Sequence, residues 1–313
     1  MKGVLIILVL SIALLTTAKA QKIPRFNPDT VLSVTIDSPI IIRSTRLTAQ
    51  SFIDAIMSDT SFYKAFREMS KYSFIAENRL FTYNKKNRIN AKIYRQIYHD
   101  NNNTKHQMKY LTKQDSGQVY RHNGKYQLYT AKMFDYIFMN ANNTDFIPQA
   151  SEKATLDESY KDKLKTLIFS PGKPIKGIPF IGSKTQIFTP TMRQYYNYSF
   201  DRGMYSDSIP IYRFKISQKP ELANSTKNGL MIKELTTIFD LRNFQILGRY
   251  IDMKYDNLLL NFDVQMNIEL NYFGNDQALL PTKISYQGNW DIPFKKEERA
   301  SFLVLHKEYQ LAK

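Results

Sequence analysis

Twelve consecutive residues, Asn261 to Tyr272, alternate without a fault. Phe262, Val264, Met266, Ile268, Leu270 and Tyr272 occupy the even positions, and Asn261, Asp263, Gln265, Asn267, Glu269 and Asn271 the odd ones. Side chains along a strand point alternately to opposite faces. A helix would scatter these apolar groups around its axis. The stretch is therefore a strand with one buried and one wet face, as an antiparallel sheet provides.

The same period of two recurs elsewhere. Ile89, Ala91, Ile93 and Ile97 alternate with Arg88, Asn90, Lys92 and Gln96, and residues 105–114 alternate again. Tyr212, Phe214 and Ile216 alternate with Arg213 and Lys215, and Ile284 to Ile292 and Ser301 to Tyr309 extend the set. Val31 to Ile36, Leu235 to Phe239 and Phe244 to Tyr255 are further strand candidates, and Asn123-Gly124 suits a type I′ turn in a hairpin over Val119 to Tyr129. Helical spacing of three and four appears in residues 48–70, where Phe52, Ile53, Ile56 and Met57, then Phe62, Ala65, Phe66 and Met69, share a face. Ala131 to Met139 and Glu158 to Ile168 also read as helices. Seven Pro and Gly residues between Pro171 and Pro190 leave no regular element over 170–190 and predict a long loop. The expected fold is α+β: a large curved antiparallel sheet with a few helices covering one face.

The N-terminus reads as an export signal. Lys2 precedes an uncharged run from Gly3 to Thr17, and Ala18-Lys19-Ala20 is a small-x-small cleavage site. The run is shorter than the about 20 apolar residues that cross a bilayer, and no later segment approaches that length. The chain divides into a signal peptide over 1–20, a leader over 21–45 and a single domain over 46–313. Cleavage places the mature chain in the periplasm or outside the cell, including the outer-membrane surface. With no Cys among its 313 residues, disulfides, thiolate metal sites and Cys nucleophiles are excluded.

No motif carries catalysis. Gly177-Ile178-Pro179-Phe180-Ile181-Gly182-Ser183-Lys184-Thr185 approaches a phosphate loop, but Ser183 stands where Lys is required and Pro179 removes a backbone donor. His99, His106, His122 and His306 show no metal-ligand spacing, and His99 and His106, flanking Asn101 to Asn103, read as solvated. Asp263 and Glu269 share a strand face but lie about 20 Å apart by strand rise. No catalytic, cofactor-binding or metal-ligating residue is assigned.

Charge is more informative. Residues 85–132 hold eleven Lys or Arg against Asp100 and Asp115, a net +9 of the +14 that remains once Lys2 and Lys19 are cleaved away. Arg88 and Lys92 on one strand, and Lys105, Lys109 and Lys113 on the next, are expected to form a basic ladder with Tyr83, Tyr94, Tyr98, Tyr110 and Tyr120 interleaved. Such a ladder attracts anionic lipid or acidic glycan surfaces. Nucleic acid suits the charge but not an exported chain.

Four segments resemble exported proteins of the Bacteroidota that carry no motif of known chemistry. They are Ser61-Phe62-Tyr63-Lys64-Ala65-Phe66 through Tyr72-Ser73-Phe74, Lys176-Gly177-Ile178-Pro179-Phe180, Asn261-Phe262-Asp263-Val264, and Gly288-Asn289-Trp290-Asp291-Ile292-Pro293-Phe294-Lys295-Lys296. The layout also resembles the half-barrel of the lipoprotein carriers of the Lol system, in which helices plug a curved sheet. The resemblance implies a non-catalytic envelope protein that binds an acyl chain, lipid or other amphipathic ligand. Two alternatives stand beside it, a hydrolase of extracellular polymers and a scaffold of an envelope complex contacting anionic surfaces. If the export reading holds, N-terminal sequencing of protein from its native envelope will begin at Gln21; a mature form that retains Met1 to Leu15 would refute it.

Overall fold

The computed structural model describes residues 34–36, 47–102, 105–135, 166, 168–173, 184–222, 230–256, 261–274, 277–291 and 297–312. The export signal, the predicted helix over 158–168 apart from its last residues, and the middle of the Pro/Gly-rich stretch lie outside them. Among the described residues eleven strands form one unclosed antiparallel sheet. They are β1 (Val34–Ile36), β2 (Tyr72–Tyr83), β3 (Ile89–Asn102), β4 (Lys105–Ser116), β5 (Tyr196–Tyr205), β6 (Ile209–Gln218), β7 (Ile232–Asp240), β8 (Ile246–Asp256), β9 (Asn261–Phe273), β10 (Ala278–Asp291) and β11 (Glu298–Leu311). The order is β1-β5-β6-β7-β8-β9-β10-β11-β2-β3-β4. The second half of the chain is thus a meander, and the first half is added at both ends of it.

Two crossovers follow from that order. Between β1 and β2 run helices α1 (Ala49–Ser58) and α2 (Ser61–Glu68) and a 3-10 turn, Met69–Lys71. The two apolar runs of residues 48–70 form separate helices, because Asp59 ends the first and starts the second. Its carboxylate accepts from Ser61 N at 3.0 Å and Phe62 N at 3.1 Å, satisfying donors a helix start leaves open. Thr48 and Ser51 close a capping box on α1. Between β4 and β5 lie α3 (Tyr129–Phe134), the segment 168–173, and the short turn α4 (Pro190–Arg193).

Both crossovers touch the same sheet face. Phe52 of α1 stacks on Phe214 of β6 at 5.0 Å and meets the rings of Phe200, Tyr212, Phe239 and Phe244 within 5.6 Å. Phe62 of α2 lies under Arg249 of β8, and Phe134 of α3 packs on Phe302 of β11 at 4.6 Å. The register carries this face from Phe214 through Thr237, Arg249, Ile268 and Ile284 to Val304. Gly288 serves close packing here: a Cβ would sit 2.4 Å from the hydroxyl of Tyr286, whose ring crosses it to meet Trp290. On the other face, Tyr205 of β5 donates to the carbonyl of Leu270 of β9 at 2.8 Å. A flat sheet would separate strands four places apart by about 19 Å, so the sheet curls toward that face.

The other face is not simply wet. Gln265, Asn267 and Glu269 are buried. Gln265 Nε2 donates to the Tyr250 hydroxyl and to Asp252, and Glu269 pairs with Lys283 at 3.0 Å. Neighbouring strands on this face, each bearing side chains of complementary charge, satisfy one another instead of water. β2 and β5 were not evident from the sequence. In β2 the apolar alternation is broken by Glu77, Asn78 and Thr82, all buried.

Met266 faces the covered side and is buried, so Met266→Asp places an unpaired carboxylate in the core and should abolish folding. Gln265→Asp removes two hydrogen bonds and sets a carboxylate beside Asp252; it should destabilise by about 1–3 kcal/mol. Gln107→Asp, on exposed β4, should stay within about 0.5 kcal/mol. Urea unfolding followed by Trp290 fluorescence ranks the three.

Candidate functional site

Cations gather at one end of the sheet, in two turns. After β2 the chain reverses through Asn84 to Arg88. The Asn84 side chain accepts from Lys86 N at 2.9 Å and Arg88 N at 3.1 Å, and Asn84 N donates to the Arg88 carbonyl at 2.9 Å. This Asx turn satisfies its own backbone and points Lys85, Lys86 and Arg88 into solvent. A second turn follows β4. Arg121 N donates to the Lys125 carbonyl at 2.8 Å and Gly124 N to the Arg121 carbonyl at 2.9 Å. Gly124 is left-handed at φ 74° and Asn123 is not, so the turn is not type I′, which needs both. The strand pairing behind it is a single bridge, Tyr120 to Tyr126.

Arg95 ties this second turn to the sheet. Its guanidinium is buried in β3, donates to the Tyr126 hydroxyl at 3.0 Å, pairs with Asp115 at 3.2 Å and contacts the Tyr120 hydroxyl. Burial pulls its pKa down, but the two tyrosines and Asp115 outweigh that and the net shift is upward, so it stays charged.

Between the two turns, the start of α3 and the ends of β10 and β11 lies a groove of about 1520 Å³. Lys85, Lys86, Arg88, Arg121 and Lys125 line it; all are exposed, and among the described residues none makes an ion pair. Two of the groove's three acids are committed. Glu298 accepts from Tyr129 N at 2.6 Å and Thr130 N at 2.8 Å, holding the start of α3, and Glu297 pairs with Arg299 at 3.1 Å. Asp291 is the third. Tyr83, Tyr126, Leu128 and Tyr129 supply apolar surface. Such a groove can hold an anion bearing several oxygens beside an apolar group.

The expected ladder is not assembled. Arg88 lies in the groove, before β3 begins. Lys92, opposite Ser116, and Lys105, opposite Asn102, stand at opposite ends of the β3–β4 pair, about 33 Å apart by strand rise. Lys109 lies opposite Tyr98, on the same face as Lys92. A register shift skips Leu111 and turns Lys113 to the other face, opposite Arg95, with Nζ over the Tyr110 ring at 5.7 Å. The sequence reading missed Lys85, Lys86, Arg121 and Lys125 as a group because they belong to two turns 36 residues apart. The available signal was that each turn pairs Asn with basic neighbours.

The other sequence candidates also change. Lys184 lies over the Tyr255 ring at 4.7 Å, and Thr185 is buried and donates to the Lys173 carbonyl at 3.2 Å, so neither awaits a phosphate. His99 is buried rather than solvated: it stacks on Phe74 at 4.5 Å, with Nδ1 3.2 Å from Nε2 of His106. His306 meets Phe74 edge-on at 5.5 Å. Among the described residues no group of three His, Asp or Glu could hold a metal ion. No family model matches the sequence, and no curated protein and no solved structure matches it.

Burial, aided by His106, pushes the pKa of His99 down to about 4; burial, aided by His99, pushes that of His306 to about 3. Both values lie below the ordinary 6.5 of the unfolded chain. The unfolded state therefore gains protons first as pH falls, so stability is full above about 6.5 and declines below it toward 4. Each histidine contributes up to about 1.4 kcal/mol per pH unit in that window. Thermal melts should show a steeper loss between pH 7 and 5 for the wild type than for His306→Leu. Parallel profiles would mean that His306 is not held neutral.

Proposed function

We propose that this chain is an exported, non-catalytic binding protein of the cell envelope, and that the basic groove receives the anionic head of a lipid or other amphipathic ligand. The observation that carries the reading is the set of five unpaired cations around one groove with tyrosine and leucine surface beside them. An unclosed antiparallel sheet with helices against one face is shared with the lipoprotein carriers, although here the sheet curls away from its helices. The apolar start of the chain accords with export to the periplasm or outer surface.

The energetics suit a peripheral, reversible contact. Each basic side chain near an anionic bilayer contributes about 1 kcal/mol. Five give at most about 5 kcal/mol, close to millimolar affinity, so salt should release the protein as the Debye length falls from about 30 Å at 0.01 M to about 8 Å at 0.15 M. Co-sedimentation with vesicles containing phosphatidylglycerol tests this. Wild type should pellet at low salt and stay soluble at high salt. Lys86→Gln/Arg121→Gln/Lys125→Gln should stay soluble at both, whereas Lys105→Gln/Lys109→Gln/Lys113→Gln should still pellet at low salt. Pelleting of the groove variant, or a soluble wild type at low salt, would sink the groove as the contact.

A further inference from the structure

Arg249 lies in the middle of β8, on the helix-covered face, and is 2% exposed. Its Nη1 donates to the carbonyls of Ile168 at 2.9 Å and Phe169 at 3.2 Å. Its guanidinium rests 4.5 Å above the ring of Phe62. On the opposite edge Nε and Nη2 are both buried, and among the described residues neither has an acceptor. Directly across the β7–β8 register stands Thr237, 0% exposed, whose hydroxyl also has no partner. Among the described residues, three buried polar atoms without a partner therefore belong to one register pair of β7 and β8.

No carboxylate of the described residues pairs with this cation. Asp59, the acid whose field it feels, is occupied at the start of α2 by Ser61 N, Ser61 Oγ and Phe62 N. Burial lowers the Arg249 pKa to about 10, which still leaves it charged at neutral pH. An isolated buried charge is strongly unfavourable unless paired and hydrogen-bonded, and a buried group without partners in a native fold has a reason.

The shape of the deficit names the partner. Nε–H and Nη2–H are the two parallel donors along one edge of a guanidinium, spaced to meet both oxygens of one carboxylate. A single cation neutralises a single negative charge, which favours a monocarboxylate over a phosphate dianion. The surroundings are apolar: Ile268 lies opposite Arg249 on β9, Phe214 lies opposite Thr237 on β6, and Phe62 and Phe169 come from the covering segments. We propose that Arg249 and Thr237 form a buried receptor for the carboxylate of an apolar monoacid, such as a medium-chain fatty acid. Arg249 donates through Nε and Nη2, and Thr237 through its hydroxyl. The site is separate from the basic groove and does not depend on it.

Thermal melts and titration calorimetry of the full chain test this, with decanoate below its micellar concentration, decanol and acetate as probes. Decanoate should raise Tm, whereas decanol and acetate should not. Arg249→Met should lose at least tenfold in decanoate affinity, and Arg249→Lys, which keeps the charge but not the paired donors, should also lose tenfold or more. Thr237→Val should weaken binding severalfold. The Lys86→Gln/Arg121→Gln/Lys125→Gln variant should bind decanoate as the wild type does, which separates this site from the groove. Should Arg249→Met fail to fold, Thr237→Val and the comparison of decanoate with decanol still decide. The absence of any decanoate effect on the wild type, an equal effect of decanol, or unchanged binding by a folded Arg249→Met would overturn the proposal.

Discussion

The fold rests on the burial of one face of an open sheet. Eleven strands cannot hide that face among themselves, so chain that leaves the sheet must return across it. Phe52 shows how completely this is done: one ring from α1 meets five aromatic rings from β5, β6, β7 and the turn after β7. A buried Phe contributes about 1.5–3 kcal/mol from area alone, and aromatic pairs add about 0.5–1.5 kcal/mol each. The covering helices are short, 10 and 8 residues. Isolated helices of that length are marginal in water, so their stability comes from the sheet as much as the sheet's comes from them.

That dependence explains the topology. β1 pairs with β5, and β2 pairs with β11, at the far side of the meander. The link between them has to span the sheet, and α1 and α2 do so on the apolar side. The return from β4 to β5 crosses on the same side, bringing Phe134, Ile168 and Phe169 over β11 and β8. Arg249 is a buried cation within this largely apolar layer. A guanidinium under the cover gives the crossing segment two hydrogen bonds, but its second edge has no acceptor among the described residues.

The opposite face follows a different rule. Charge and amide groups there are matched strand to strand: Asp201 with Arg213, Lys215 with Glu234, Glu269 with Lys283, and Glu77 with both Arg79 and Lys307. Because the face is occupied by its own pairs, unpaired cations collect where pairing stops, at the turns. The groove between Asn84–Arg88 and Arg121–Lys125 is such a place, and buried Arg95 holds the second turn against the sheet.

By itself the sequence determined the strand period and the apolar face of β3, β6, β9 and β10, because side-chain direction in a strand is a local property with a period of two. The alternation of Asn261 to Tyr272, the apolar stripes of residues 48–70 and the excess of cations in 85–132 could all be read directly. Only the tertiary structure decided what those faces meet. The charged face of β9 is buried by side chains from β8 and β10, and β2 hides its period because Glu77, Asn78 and Thr82 find partners or burial in a central strand. One skipped residue at Leu111 turns Lys113 away from Lys109, which no count of residues foretells. The cations of the groove come together only because two turns, far apart in the chain, close the same end of the sheet. The burial of Arg249 between Phe62 and the carbonyls of Ile168 and Phe169 exists only because distant segments cross β8. Local alternation is written in neighbouring residues, whereas register, burial of polar groups and the meeting of turns are set by contacts between distant parts of the chain.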